Sequence, residues 1–140
     1  MDNLVLMWIT FLGVDLKTQQ QKGKKFEREI ADDLSKTFNA KIRRTPCSGG
    51  IHDFNTADIF CIKKDSFLHD FHFELKHRKS LNVHKTLWET DEKCPGHKIP
   101  IVIFKKNFDV DPIVTMKYSD FKWILSVMKE KYDGIGRQEP

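Results

Sequence analysis

His69-Asp-Phe-His-Phe-Glu-Leu-Lys-His77 places Phe71, Phe73 and Leu75 at every second residue, with His72, Glu74 and Lys76 between them. Successive side chains of a β-strand point to opposite faces, so this stretch predicts a strand with one apolar face and one ionisable face. Upstream, Ala57-Asp-Ile-Phe-Cys-Ile62 turns apolar on both faces after Asp58, and the turn-like Lys63-Lys-Asp-Ser66 between the two predicts a hairpin. Downstream, Ile99-Pro-Ile-Val-Ile-Phe104 is apolar on both faces, the pattern of a central strand covered on each side by helices.

Around these strands the period changes. Phe26, Ile30, Leu34 and Phe38 recur every four residues, with Ala31 beside them and Glu29, Asp32, Asp33 and Lys36 opposite, which predicts a helix over about 24–38. Ile30, Ala31 and Leu34 follow Glu27 at helical spacing, so its carboxylate belongs at the margin of the buried face. Ala40 to Arg44 reads as a short strand, and Thr45 to Thr56, with Pro46, Gly49 and Gly50, as a loop. Thr86 to Cys94 can form a short helix ended by Pro95-Gly96, and Ile113 to Tyr118 another strand. Ser119 caps a last helix in which Phe121, Ile124, Leu125 and Met128 share a face. The order helix, strand, hairpin, helix, strand, strand, helix predicts an α/β protein, a mixed central β-sheet flanked by helices in a single domain.

A length of 140 residues suits one compact domain. A composition 39% hydrophobic and 31% charged, with eleven Phe, excludes a disordered, collagen-like or disulfide-stapled chain. The net charge of +4 permits a polyanionic partner without requiring one. Cys47, Cys61 and Cys94 are odd in number and irregularly spaced, as reduced thiols of a cytoplasmic protein are, and with His52 and His97 they make a poor zinc pattern. Leu4 to Val14 is apolar except for Thr10, but falls short of the roughly 20 residues that cross a bilayer and lacks the flanks of a secretory signal, so no membrane association is expected. It is expected as an added strand or a hydrophobic cover buried against a second subunit, with the polar Lys17 to Lys25 as a linker.

The residues that carry chemistry are Asp58, Glu74 and Lys76. Glu74 and Lys76, two apart on one strand, share a face, and the hairpin brings Asp58 alongside. Two carboxylates in one pocket repel each other unless a cation lies between them. Mg²⁺ suits such a pair: it prefers carboxylate oxygen, keeps several waters, polarises a phosphodiester and lowers the pKa of an attacking water. Taken alone, an Asp, a Glu and a Lys at these spacings more often form a solvated ion-paired face. Two additions favour the site: Glu27 as a third carboxylate, and a supply of cations near the acids in sequence, Lys22, Lys24, Lys25, Arg28, Lys41, Arg43, Arg44, His77, Arg78 and Lys79. His72 shares the face of Glu74 but reads as an exposed strand-end histidine. Trp88 reads as core or interface, and His84 and Lys85 as a helix start that can touch phosphate.

Lys22-Gly23-x-x-x-Glu27-Arg28 at a helix start, Arg44-x-x-x-Ser48 in a loop, Asp58 leading an apolar strand, Glu74-Leu75-Lys76 and Gly96-x-x-Ile-Pro-Ile-Val102 together resemble the archaeal-type Holliday-junction resolvases and their phage relatives, of the PD-(D/E)-x-K nuclease superfamily. The resemblance covers about residues 22–106. It implies a restriction-endonuclease-like α/β fold, with an apolar segment and linker over 1–21, a nuclease domain over 22–134 and a tail over 135–140. It implies Asp58 and Glu74 as metal ligands, Glu27 as an auxiliary acid at the metal or its water, and Lys76 as the catalytic lysine. Mg²⁺ is the implied cofactor, with Mn²⁺ as a substitute. Lys22, Lys24, Lys25, Arg28, Arg43, Arg44, Ser48, Arg78 and Lys79 are the implied DNA contacts, with Arg44 and Ser48 on a mobile loop. A homodimer would present two sites to the symmetric strands of a four-way junction. Ala57 stands where the superfamily's name leads one to expect Pro, and the loop from Cys47 to Asn55 is longer than the simplest pattern and holds Asp53 as a rival to Asp58.

The expected activity is therefore that of a metal-dependent endonuclease on branched DNA, in a cytoplasm. A restriction-type or repair nuclease on linear or flap DNA would share the chemistry and differ in its substrate groove. A non-catalytic DNA-binding module would keep its affinity in EDTA and have no need of three carboxylates.

Overall fold

The computed structural model describes residues 3–46 and 57–136, with side chains from residue 18 onward. In chain order the elements are α1 (Asn3–Phe38), β1 (Ile42–Arg44), β2 (Ile59–Cys61), β3 (Phe71–His77), α2 (Val83–Lys93), β4 (Ile99–Lys105), β5 (Ile113–Thr115) and α3 (Tyr118–Gly136), with a 3-10 turn over Phe67–Asp70 before β3. The strands form one sheet in the order β1-β2-β3-β4-β5. Only β3 and β4 run parallel, joined through the α2 crossover, and the other neighbours are antiparallel. This is the single-domain, restriction-endonuclease-like mixed sheet flanked by helices that the resemblance implied.

The period-two pattern of β3 sorts its residues as expected. Phe73 and Leu75 join Phe26, Ala31, Ile42, Ile59, Ile101 and Ile103 in one buried cluster that contains the inner face of α1. Parallel pairing sets Glu74 beside Val102 and Lys76 beside Phe104, so His72, Glu74 and Lys76 lie on the other face. Val102 and Phe104 are buried there, which makes β4 apolar on both sides and central. Ser35 fastens the end of α1 to the sheet: its hydroxyl donates to Ala31 O and accepts from the Ile42 N–H. Asn39, at φ 48°, takes the left-handed conformation that stops the helix, one that Asn tolerates better than most side chains.

Two local expectations change, and one expected helix is placed differently from the others. Residues 4–14, expected as a strand or cover, and 17–25, expected as a linker, are both part of α1. In residues 17–25, Lys and Gln are good helix formers, no Pro interrupts them, and the one glycine of that stretch, Gly23, costs only about 1 kcal/mol relative to Ala, so polarity there marks exposure rather than irregular chain. The shared face of Phe121, Ile124, Leu125 and Met128 does not enter the core: α3 buries none of its residues. Among the described residues, no helix is long and apolar enough to cross a membrane.

Candidate active site

Ile59 pairs with Phe73 across the antiparallel β2–β3 ladder. Extending that register by one residue sets Asp58 opposite Glu74, on the face away from α1. Asp58 is held from two sides. Its N–H donates to Phe73 O at 2.9 Å, and its Oδ2 accepts from the Leu75 N–H at 2.7 Å. Across from β3, the Thr45 N–H donates to Asp58 O at 2.8 Å and the Thr45 hydroxyl donates to Ala57 O at 2.5 Å. The acid therefore sits on backbone pinned to both neighbouring segments, not on a free loop end.

Beside it, the Glu74 side chain is 7% exposed and its Oε1 lies 2.7 Å from Lys76 Nζ. One ammonium thus faces two carboxylates. The Asp58 carboxyl is pushed up from 3.8 to about 6, by burial first and by the Glu74 charge second. The Leu75 N–H pulls it down, the Glu27 charge adds to the rise and Lys76 again lowers it. A carboxyl pushed toward its neutral form by burial and by a neighbouring carboxylate, in a cleft, is a candidate functional group. The donors are hard oxygens. Two carboxylates with water and substrate oxygens are the ordinary complement of a Mg²⁺-sized ion, so the set fits a divalent cation.

An aspartate leading β2, opposite a Glu-x-Lys on β3, is the arrangement the sequence pointed to. A family model described as "Phage putative PDDEXK endonuclease" matches residues 18–136. The chain belongs to this family. No curated protein and no solved structure matched the chain. The PDDEXK match runs from within α1 to the end of α3, so every strand of the sheet lies inside it. The family is one of endonucleases, and PD-(D/E)-x-K nucleases are in general divalent-metal dependent.

The remaining expected residues of this PDDEXK protein fall into three groups. Glu27 is not in direct contact with Asp58 or Glu74: it is ion-paired with Arg44, both side chains at most one-fifth exposed, and reaches Asp58 through space. Arg44 lies on β1, paired with Ile59, rather than on a loop reaching for phosphate. Among the described residues no three His, Cys, Asp or Glu side chains gather as a ready-made metal cage. Lys22, Lys24, Lys25, Arg28, Arg43, Arg78 and Lys79 are exposed. Ser48, with Cys47, His52 and Asp53, lies outside the described residues. Cys61 and Cys94 are free thiols.

Sequence reasoning missed the far wall of the site. A cavity of about 100 Å³ opens beside Glu74 and Lys76, closed by Arg78 and by Thr86, Glu89, Thr90 and Lys93 of α2. Thr86 and Thr90 are buried, and their hydroxyls donate to Asn82 O and Thr86 O, so their lone pairs remain for the cavity. The signal was present as Thr86, Glu89, Thr90 and Lys93 at helical spacing, a polar stripe on the inner face of a helix. Two single-residue readings are also corrected. His72 is 2% exposed, not a strand-end histidine in solvent, because α2 and β4 cover that face; its Nε2 has no partner and burial holds its pKa below 6.5. Trp88 is half exposed rather than core, its Nε1 donating to His84 Nε2 at 2.9 Å.

Proposed function

We propose that this protein is a Mg²⁺-dependent endodeoxyribonuclease, with Mn²⁺ as a substitute metal, and that it acts on branched DNA, four-way junctions above all. The observation that carries the nuclease chemistry is the convergence of Asp58, Glu74 and Lys76 on one face of a rigid sheet, with the Asp58 carboxyl pushed up to about 6. In this reading Asp58 and Glu74 hold the metal, and Glu27 is an auxiliary acid that acts on the site through its charge. When bound, the metal supplies Lewis acidity at the scissile phosphate and a more acidic water.

The chain's own residues do the rest. Lys76, whose Nζ lies 2.7 Å from Glu74 Oε1, would orient the attacking water and face the charge that develops on the phosphate. Arg78 and Lys93 bring positive charge to the cavity rim, where a phosphate group must enter past the carboxylates. Lys22, Lys24, Lys25, Arg28, Arg43 and Lys79 are further backbone contacts, each sequence-independent and salt-sensitive. Arg44, ion-paired with Glu27, and Ser48 are the remaining proposed contacts. The working unit is a homodimer in a cytoplasm, where Cys61 and Cys94 stay reduced.

The test compares labelled four-way junction, flap and linear duplex, each with Mg²⁺ and with EDTA. Cleavage of the junction first, with Mg²⁺ only, is expected. Glu74→Ala and Lys76→Ala should each lower the rate by at least about 10²-fold, the scale on which positioned acid–base and electrostatic groups act, while binding in Ca²⁺ survives. Preference for linear or flap DNA would refute the junction assignment, and undiminished cleavage by either variant would refute the site.

A further inference from the structure

Although α3 buries none of its residues, its sequence is not that of a solvated helix. Tyr118, Phe121, Leu125, Met128, Tyr132 and Ile135 recur at alternating intervals of three and four, the spacing of the apolar seam in a pair of coiled helices. All six lie on one stripe and are 46–80% exposed. Large side chains present about 150–250 Å² each when open to solvent, so the stripe offers on the order of 700–800 Å², close to one partner's share of a standard interface. A seam of this length and area is far beyond the scattered apolar residues of an ordinary surface.

We propose that this stripe of α3 is the surface through which two copies of the chain associate, the two helices packed antiparallel about an axis near Ser126 and Val127. Charge selects a second copy over other occupants. Lys122, Lys129 and Lys131 are matched in α3 by Asp120, Glu130 and Asp133, so the helix has no net charge with which to attract DNA, an anionic membrane or an acidic partner. Two of the three lysines of α3 that flank the seam are engaged within their own helix: Lys129 Nζ lies 2.5 Å from Asp133, and Lys122 Nζ lies 5.7 Å from the centre of the Tyr118 ring. Two copies can therefore meet with the Lys122 and Lys129 ammonium groups already engaged. In the antiparallel arrangement Leu125 faces Met128 of the second copy, Phe121 faces Tyr132 and Tyr118 faces Ile135, so every apolar residue of the seam meets another. Opposed helix dipoles favour the same orientation. Lys117, at the start of α3, bridges to Asp91 of α2 at 2.9 Å, so the association would also fix the two α2-walled cavities relative to each other. The inference gives the homodimer of the proposed function its contact surface, and rests on that reading for the dimer but on none of its nuclease chemistry.

Sedimentation of the full-length protein at micromolar concentration tests it, with Leu125→Glu, Met128→Glu, Trp123→Glu and a variant lacking residues 3–17. The expected result is a species of twice 16.5 kDa for the parent chain and for Trp123→Glu, which lies off the seam, and 16.5 kDa for the two seam variants, with unchanged far-ultraviolet circular dichroism. Because the seam is exposed within one chain, neither seam variant disturbs the core. A monomeric parent chain would overturn the proposal. So would dimeric seam variants, or a monomer produced only by removing residues 3–17, which would move the contact to α1.

Discussion

Replacing Asp58 by Asn should make the metal-free protein more stable, and only above a defined pH. The unfolded chain releases the Asp58 proton near 3.8, whereas in the folded protein burial and the Glu74 charge hold it to about 6. Between those values the native state binds more protons than the unfolded one, so stability falls as pH rises through the window, and the full penalty is present above about 6. At about 1.4 kcal/mol per pH unit, the penalty is about 3 kcal/mol. Asn has no charge to lose, matches the shape, and its carbonyl oxygen can still accept from the Leu75 N–H. Urea unfolding in EDTA measures the difference. With a slope of about 1–3 kcal/mol per molar urea, the midpoint of Asp58→Asn should rise by roughly 1–3 M at pH 8 and by little at pH 4. Adding Mg²⁺ at pH 8 should then stabilise the parent chain and leave the variant unmoved, because only the parent has the carboxylate pair for a cation to neutralise. A variant no more stable than the parent at pH 8, or one that gains equally at pH 4, would refute the account of Asp58 as a carboxylate held against its own charge. The expected gain is the familiar trade in which a site stores unfavourable electrostatics for use with a ligand.

Two other perturbations probe the surroundings. Arg44→Gln should cost about 1–3 kcal/mol by leaving the largely buried Glu27 unpaired, and the Glu27→Gln/Arg44→Gln double-mutant cycle should show a coupling of about 1 kcal/mol or more; a coupling near zero in urea unfolding would mean that the pair does not join α1 to β1 energetically. His72→Phe should be neutral or stabilising at pH 8, since the variant removes a buried nitrogen with no partner. The parent chain, whose His72 is held below 6.5 when folded, should lose stability as pH falls through 6.5, and the variant should lose less; a loss above about 2 kcal/mol at pH 8 would reveal a hydrogen bond that His72 does make.

What the amino-acid sequence discloses, it discloses where one element carries its own explanation. The alternation through Phe71, Phe73 and Leu75 fixes both faces of β3, and the same alternation puts Glu74 and Lys76 together without reference to any other part of the chain. Asp58 needs one further step, the hairpin, and the turn residues 63–66 supply it. Both-sided apolarity likewise marks β4 as central, and Val102 and Phe104 are buried opposite Ile101 and Ile103. Each is a local pattern with a period short enough to read.

The misreadings share the opposite property. His72 looks like an end-of-strand histidine until α2 is laid over it, and that helix belongs to a crossover whose position no local period reports. Thr86, Glu89, Thr90 and Lys93 have the spacing of a helix face, but nothing in Val83–Lys93 says that the face closes a cavity against Glu74. Arg44 reads along the chain as one more cation, because charge can be counted there while pairing cannot; Glu27, seventeen residues earlier, is its partner. The modest +4 of the whole chain has the same origin. It sums exposed lysines and arginines with acids that are mostly exposed too, and only the fold tells Glu27, Asp58 and Glu74 from the rest. If Asp58 and Glu74 take up one divalent cation, the charge at the mouth of the cavity rises by two with no change in sequence, so DNA affinity there becomes metal-dependent while affinity at Lys22, Lys24 and Lys25 does not.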